Sequence, residues 1–158
     1  MFFKDIVGHS ELKRRLVEMV DSGRIPHAQL YTGAEGVGKL ALALAVAQYI
    51  CCEHREGGES CGRCPSCVQF AKLSHPDLHF VFPVKKKGSG NEKPVSDDYI
   101  TEWRELLLQN PYFSYDDWLA KLGLDNQQPM IYERESGEIL HKLSMQSREG
   151  GWKVVIIW

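Results

Sequence analysis

Residues 29 to 46 constrain the fold more tightly than any other stretch of the chain. A short apolar run, Leu30-Tyr31, meets a glycine-rich loop, and an Ala- and Leu-rich run without Gly or Pro continues from Leu40 to Ile50. That order predicts a strand ending at Leu30-Tyr31, a tight turn and a buried helix, hence an α/β architecture. Gly33, Gly36, Gly38 and Lys39 outline a P-loop, in which glycines let backbone N–H groups turn inward around phosphate oxygens while the lysine reaches the terminal phosphates. The candidate phosphate-binding residues are Gly33, Gly36, Val37, Gly38, Lys39 and Leu40. The last of these departs from the motif, which places Ser or Thr after the lysine because that hydroxyl ligates Mg²⁺. The residues leave open whether ATP or ADP binds, and a glycine turn that binds nothing is the alternative.

The second signal follows the helix. Cys52, Cys61, Cys64 and Cys67 are separated by eight, two and two residues, and four thiolates so spaced can close a tetrahedron around one structural Zn²⁺ with no open coordination position. Gly57, Gly58 and Gly62 supply the turns that such a knuckle needs. Cys51 is the odd thiol, suited to packing at the helix end. His54 and His75 are alternative ligands, but four cysteines already complete the shell. Redox thiols are the competing reading of the cluster.

The rest of the chain is that of an ordinary globular protein of 158 residues, 43% hydrophobic and 25% charged, with a formal net charge of −2. That balance excludes coating of nucleic acid by bulk electrostatics and restricts any DNA contact to a local patch. There is no basic segment followed by an apolar core at the N-terminus, and the longest apolar run, Leu40 to Ala47, is too short to span a bilayer, so the expected compartment is the cytoplasm. Ser10 is expected to cap a helix carrying Leu12, Leu16, Met19 and Val20 on one face. Lys13, Arg14 and Arg15 read as a solvated face, with a DNA or partner contact as the alternative. Leu78 to Val81 reads as a strand. Residues 84 to 96, with Lys85, Lys86 and Lys87, read as a mobile polar loop. Two helical segments with Tyr99, Trp103, Tyr112, Phe113, Tyr115 and Trp118 follow; they pack on the body or form an interaction surface. Pro129 to Tyr132 reopens the regular fold, and Glu135 to Met145 reads as a helix with an apolar patch of Ile139, Leu140 and Leu143. The closing run, Lys153 to Ile157, reads as a central parallel strand buried on both faces. Its place at the end of the chain suggests a fragment of a longer protein.

Taken together, the P-loop, the four-cysteine knuckle behind its helix, His75-Pro76-Asp77 and the Lys153-Val154-Val155-Ile156-Ile157 run resemble the clamp-loader subunits of bacterial DNA polymerase III. A zinc module inserted directly after the P-loop helix of an AAA+ domain is the mark of the delta prime and gamma/tau subunits. Ile6-Val7-Gly8-His9 resembles their N-terminal box beside the adenine pocket, which adds Val7 and Gly8 to the candidate nucleotide contacts. Pro26-His27-Ala28 resembles their lead into the P-loop strand. The resemblance covers residues 1 to 83 and 129 to 158. It implies one N-terminal AAA+ domain with a RecA-like parallel sheet and flanking helices, holding the zinc module at 52–67 and an atypical insert at 84–128.

Two departures bear on the choice within the family. Leu40 replaces the metal-binding hydroxyl, and Trp158 stands where the motor subunit has the first acidic residue of Walker B. The resemblance then implies the delta prime stator, with no catalytic residue and no intrinsic ATPase, serving as a subunit of the polymerase III holoenzyme. Its implied partners are the gamma/tau and delta subunits and, through the complex, the sliding clamp and primed DNA, with no membrane. The arginine finger, lid and collar of the family are expected beyond Trp158. A gamma/tau-type ATPase and a zinc-binding interaction module with a vestigial P-loop are the two alternatives.

Overall fold

A computed structural model describes residues 1–86, 93–124, 128–147 and 151–158. Lys87 and the glycine-rich stretch after it, up to residue 92, lie outside the described residues, as does Gly150. The chain divides into two units, Met1–Pro76 and Asp77–Trp158.

In the first unit, helix α1 (Ser10–Asp21) buries Leu16 and Val20, while Leu12 is exposed. Ser10 does not cap it. His9 occupies that position at φ 56°, and its carbonyl accepts the first helical bond from the Lys13 N–H at 2.9 Å, so Ser10 is already inside the first turn. The basic trio is engaged locally. Arg14 bonds Glu11 at 2.8 Å and also Glu18, Arg15 bonds Glu11 at 2.9 Å, and the Lys13 ammonium donates to the Ile6 carbonyl.

Helix α2 (Lys39–Cys51) is apolar around its whole circumference and correspondingly buried, from Leu40 through Tyr49 with few breaks. The Tyr49 ring meets Phe3 edge-on at 5.7 Å, and its hydroxyl donates to the Asp21 carboxylate at 2.9 Å, tying α2 to the end of α1. Helix α3 (Pro65–Ala71) starts at a proline, which suits the first helical turn because its missing N–H is not needed there. The strand expected at Leu30-Tyr31 is not formed. A strand exists only by pairing, no ladder reaches this segment among the described residues, and Leu30 is 88% exposed.

The second unit holds a two-stranded parallel sheet, β1 (Leu78–Val81) and β2 (Val154–Ile157), in the register Leu78 to Val154 through Val81 to Ile157. The parallel pairing matches expectation; the two-sided burial does not. Only Ile156 of β2 is buried and Ile157 is 70% exposed, because among the described residues β1 is its one neighbour. Val84 and Met130 form an antiparallel bridge with bonds of 3.0 and 3.1 Å.

The core of this unit is aromatic. Helix α4 (Ile100–Gln109) carries Trp103, fully buried and stacked on Phe82 at 4.2 Å. Phe113, Trp118 and Trp158 each meet the Trp103 ring at 5.2 Å in edge-on geometry, an arrangement that aligns ring edges with ring faces of opposite partial charge. Helix α5 (Tyr115–Leu122) begins with a capping box between Ser114 and Asp117, and its Trp118 Nε1–H donates to the Pro83 carbonyl at 2.8 Å. Tyr99, Trp103, Phe113 and Trp118 of the 84–128 stretch are therefore interior to this unit, whereas Tyr115 is exposed. Lys85 is not a free solvated charge either: its ammonium donates to the Leu122 carbonyl and its own carbonyl accepts the Tyr99 hydroxyl at 3.0 Å. Helix α6 (Glu133–Ser144) inverts the sequence pattern. Leu140 and Leu143 are exposed, whereas Glu135 is buried and accepts the Ser96 N–H at 2.7 Å.

Since every ring of this cluster touches Trp103, Trp103→Ala is expected to destabilise the protein by about 3–5 kcal/mol, read as a lowered urea midpoint by far-ultraviolet circular dichroism. A loss under about 1 kcal/mol would contradict the central place of this residue.

Candidate functional site

The knuckle is built by short-range geometry. Cys52 follows the last turn of α2, Cys64 is the N-cap of α3, and Cys67 lies in its first turn. Between Cys52 and Cys61 the chain doubles back in a two-residue turn: Gly57 and Gly58 take φ 59° and 76°, and Glu56 and Glu59 exchange backbone bonds of 3.0 Å. Two successive positive φ angles explain the glycine pair. The result places all four sulfur atoms within 4.8 Å of one another. Tetrahedral coordination at about 2.3 Å per Zn–S bond sets neighbouring sulfurs close to ~4 Å apart, so the donor set fits such an ion.

The backbone is arranged for thiolates. The N–H groups of Cys61, Cys64 and Cys67 donate to the sulfurs of Cys52, Cys61 and Cys64 at 3.3, 3.4 and 3.4 Å. Bonds from the N–H groups of Arg63 and Cys64 hold the Cys61 thiol down at about 6, while burial pushes Cys52 and Cys67 up. The histidines considered as alternatives lie elsewhere. His75 is buried against Phe70 with ring centroids 4.7 Å apart, and His54 lines an open cleft of about 580 Å³ with Asp21, Tyr49, Glu53 and Arg55.

The phosphate loop carries three left-handed or near-left-handed glycines, Gly33 at φ 154°, Gly36 at 75° and Gly38 at 88°. Gly38 is the N-cap of α2. The Lys39 ammonium reaches back across the loop and donates to the carbonyls of Gly33 and Ala34 at 2.9 and 2.7 Å. Val37 is exposed, and its carbonyl is 2.9 Å from His9 Nε2; a carbonyl only accepts, so Nε2 carries the proton. Leu40 is turned into the helix core at 8% exposure and offers no ligand atom. Val7 is 87% exposed and Gly8 sits at φ 71°. Trp158 belongs to the aromatic core of the second unit.

One residue with structural consequences, Glu59, was not singled out in the sequence, and His9 was named there only as part of the Ile6–His9 box. Glu59 accepts the N–H groups of Phe3 and Lys4 at 3.1 and 2.7 Å, and His9 contacts the phosphate loop. The Glu-Gly-Gly-Glu hairpin inside the cysteine spacing was the available signal for the first. Nothing in the spacing announces the second.

A family model described as "DNA polymerase III, delta subunit" matches residues 8–158. The DNA polymerase III subunit delta' of Yersinia pestis is 38% identical over 76 residues, 48% of this chain and 22% of that protein. The subunit delta' of Escherichia coli (strain K12) is 35% identical over 75 residues, with the same shares. The DNA polymerase III subunit gamma/tau of Mycobacterium tuberculosis (strain ATCC 25618 / H37Rv) is 36% identical over 69 residues, 44% of this chain and 12% of that protein. The matched segment thus spans under a quarter of the length of the delta' relatives. No helix among the described residues is long and apolar enough to cross a membrane. With the family match running over nearly the whole chain, the protein belongs to the DNA polymerase III delta subunit family.

Proposed function

We propose that this chain is the AAA+ part of a delta prime-type clamp-loader subunit, a stator that does not hydrolyse ATP and helps load the sliding clamp onto primed DNA. Its partners in this reading are the gamma/tau and delta subunits and, through them, clamp and DNA. The observation that carries the reading is Leu40. Phosphoryl transfer depends on a metal bridging the β- and γ-phosphates, and here the position that should supply its hydroxyl ligand is a buried leucine at 8% exposure. Val7, Gly8, Gly33, Gly36, Val37, Gly38 and Lys39 remain as a vestigial cradle. The gamma/tau reading draws on relatives of comparable identity, but it needs that hydroxyl.

Steady-state ATPase of the protein, alone and with clamp, partner subunits and primed DNA, is expected to show no turnover attributable to this chain. Turnover that disappears with Lys39→Ala would return the protein to the motor class.

In the same reading Cys52, Cys61, Cys64 and Cys67 hold one Zn²⁺, which supplies cross-linking of the knuckle and no chemistry, because a closed sulfur shell leaves no position for a water nucleophile. Metal analysis of tag-free protein is expected to give one zinc per chain, with Cys64→Ser reducing it to well under half. Metal content untouched by that substitution would remove zinc from the proposal.

A further inference from the structure

We infer that His9 is a positioning residue for the phosphate loop, and that the cysteine knuckle holds it in place through a clasp on the N-terminal segment. The clasp begins inside the knuckle. Both oxygens of Glu59 accept backbone N–H groups, from Phe3 at 3.1 Å and Lys4 at 2.7 Å. The Phe2 ring lies so close to Gly62 that a Cβ there would stand 2.9 Å from its Cζ. A side chain at Gly62 would push Phe2 away, so the glycine serves the contact as well as its own φ of 71°.

From the clasp the segment stays anchored. Phe3 and Ile6 are buried at 4% and 2% exposure, and Lys13 on α1 donates to the Ile6 carbonyl. Only Val7 and Gly8 separate this anchor from His9, which stands at φ 56°, a conformation that costs energy for a residue with a side chain. The ring then reaches the Val37 carbonyl at 2.9 Å. Turning that carbonyl toward His9 leaves the neighbouring N–H groups of the loop free to face inward, the orientation anion binding needs. The sequence separations, 55 and 56 residues for the clasp and 28 for the ring contact, mean that the knuckle and the phosphate loop are linked through the N-terminal segment although they flank opposite ends of α2.

The link concerns the shape of the loop, so it is tested without nucleotide, and its failure is separate from any failure of nucleotide to bind. The experiment uses ¹⁵N-labelled full chain, with backbone amide shifts of Val37 and Gly38 reporting the loop and amide exchange of Phe3 and Lys4 reporting the clasp. Glu59→Ala is expected to speed exchange at Phe3 and Lys4 about fivefold or more, the loss of bonds to a charged acceptor, and to shift Val37 and Gly38 as well. His9→Gly, which relieves the backbone strain and removes only the ring, is expected to shift Val37 and Gly38 while leaving Phe3 and Lys4 unchanged. Arg14→Ala, on the outer face of α1, should move neither. If Glu59→Ala disturbs metal content or folding, Phe2→Ala loosens the same clasp from the other side. Faster exchange at Phe3 and Lys4 with Val37 and Gly38 unmoved would overturn the link, and a loop unchanged in His9→Gly would overturn the role of His9.

Discussion

Four thiols held within 4.8 Å of one another are the constraint on which the first unit depends. Two full charges at such a distance repel by about 4 kcal/mol at an effective dielectric of ~20, so the metal-free set cannot ionise together. The protonation preferences divide accordingly, with Cys61 held low by two backbone N–H groups and Cys52 and Cys67 pushed up by burial. A divalent cation bound there would cancel that repulsion and make thiolates of all four, and its binding free energy would then be folding free energy. The unit Met1–Pro76 is of a size at which an apolar core alone gives little margin. A metal cross-link at the end of α2 would therefore do more there than it would in a larger domain.

The second unit solves its stability differently, by concentrating rings around one tryptophan. Phe80, Phe82, Phe113, Trp118 and Trp158 all lie within 6.1 Å of Trp103 between ring centroids. These rings come from β1, the segment after it, α4, the link between α4 and α5, α5 and the residue following β2, so contacts distant in sequence hold the unit together. Two of the polar groups that enter this interior are satisfied by backbone, Trp118 by the Pro83 carbonyl and the Ser96 hydroxyl by both the N–H and the carbonyl of Phe82, whereas the buried Trp103 Nε1–H has no hydrogen-bond partner among the described residues.

What could be read from the sequence follows from the range of the interactions. The knuckle and the glycine loop were legible because the residues that form them are neighbours, and helix α2 because its Ala- and Leu-rich composition acts within a turn. Strand pairing acts at a distance, and there the reading failed in two places. Leu30-Tyr31 has the composition of a strand but no ladder among the described residues, and the Val154–Ile157 run has the composition of a central strand yet leaves Ile157 exposed. In helix α6 the apolar patch leaves Leu140 and Leu143 exposed, and nothing local announces the burial of Glu135, which accepts the Ser96 N–H 39 residues earlier. The cap position fell to His9 rather than Ser10, and the His9 ring contacts a loop 28 residues away, a contact that spacing alone does not announce.

The same distinction explains how a lysine persists beside a leucine that cannot hold metal. If the only work of Lys39 were to meet a phosphate, loss of the neighbouring hydroxyl would leave it a solvated charge. Instead its ammonium closes the loop on itself through the carbonyls of Gly33 and Ala34, and charge-assisted bonds of this kind exceed neutral ones in strength. An anion entering the cradle would have to compete with those carbonyls for the same ammonium. Leu40 meanwhile contributes to the interior of α2, where a hydroxyl would have to find a partner or carry a desolvation cost of about 1–3 kcal/mol. Each residue thus serves the fold where it stands, Lys39 by closing the glycine-rich loop and Leu40 by filling the interior beside it.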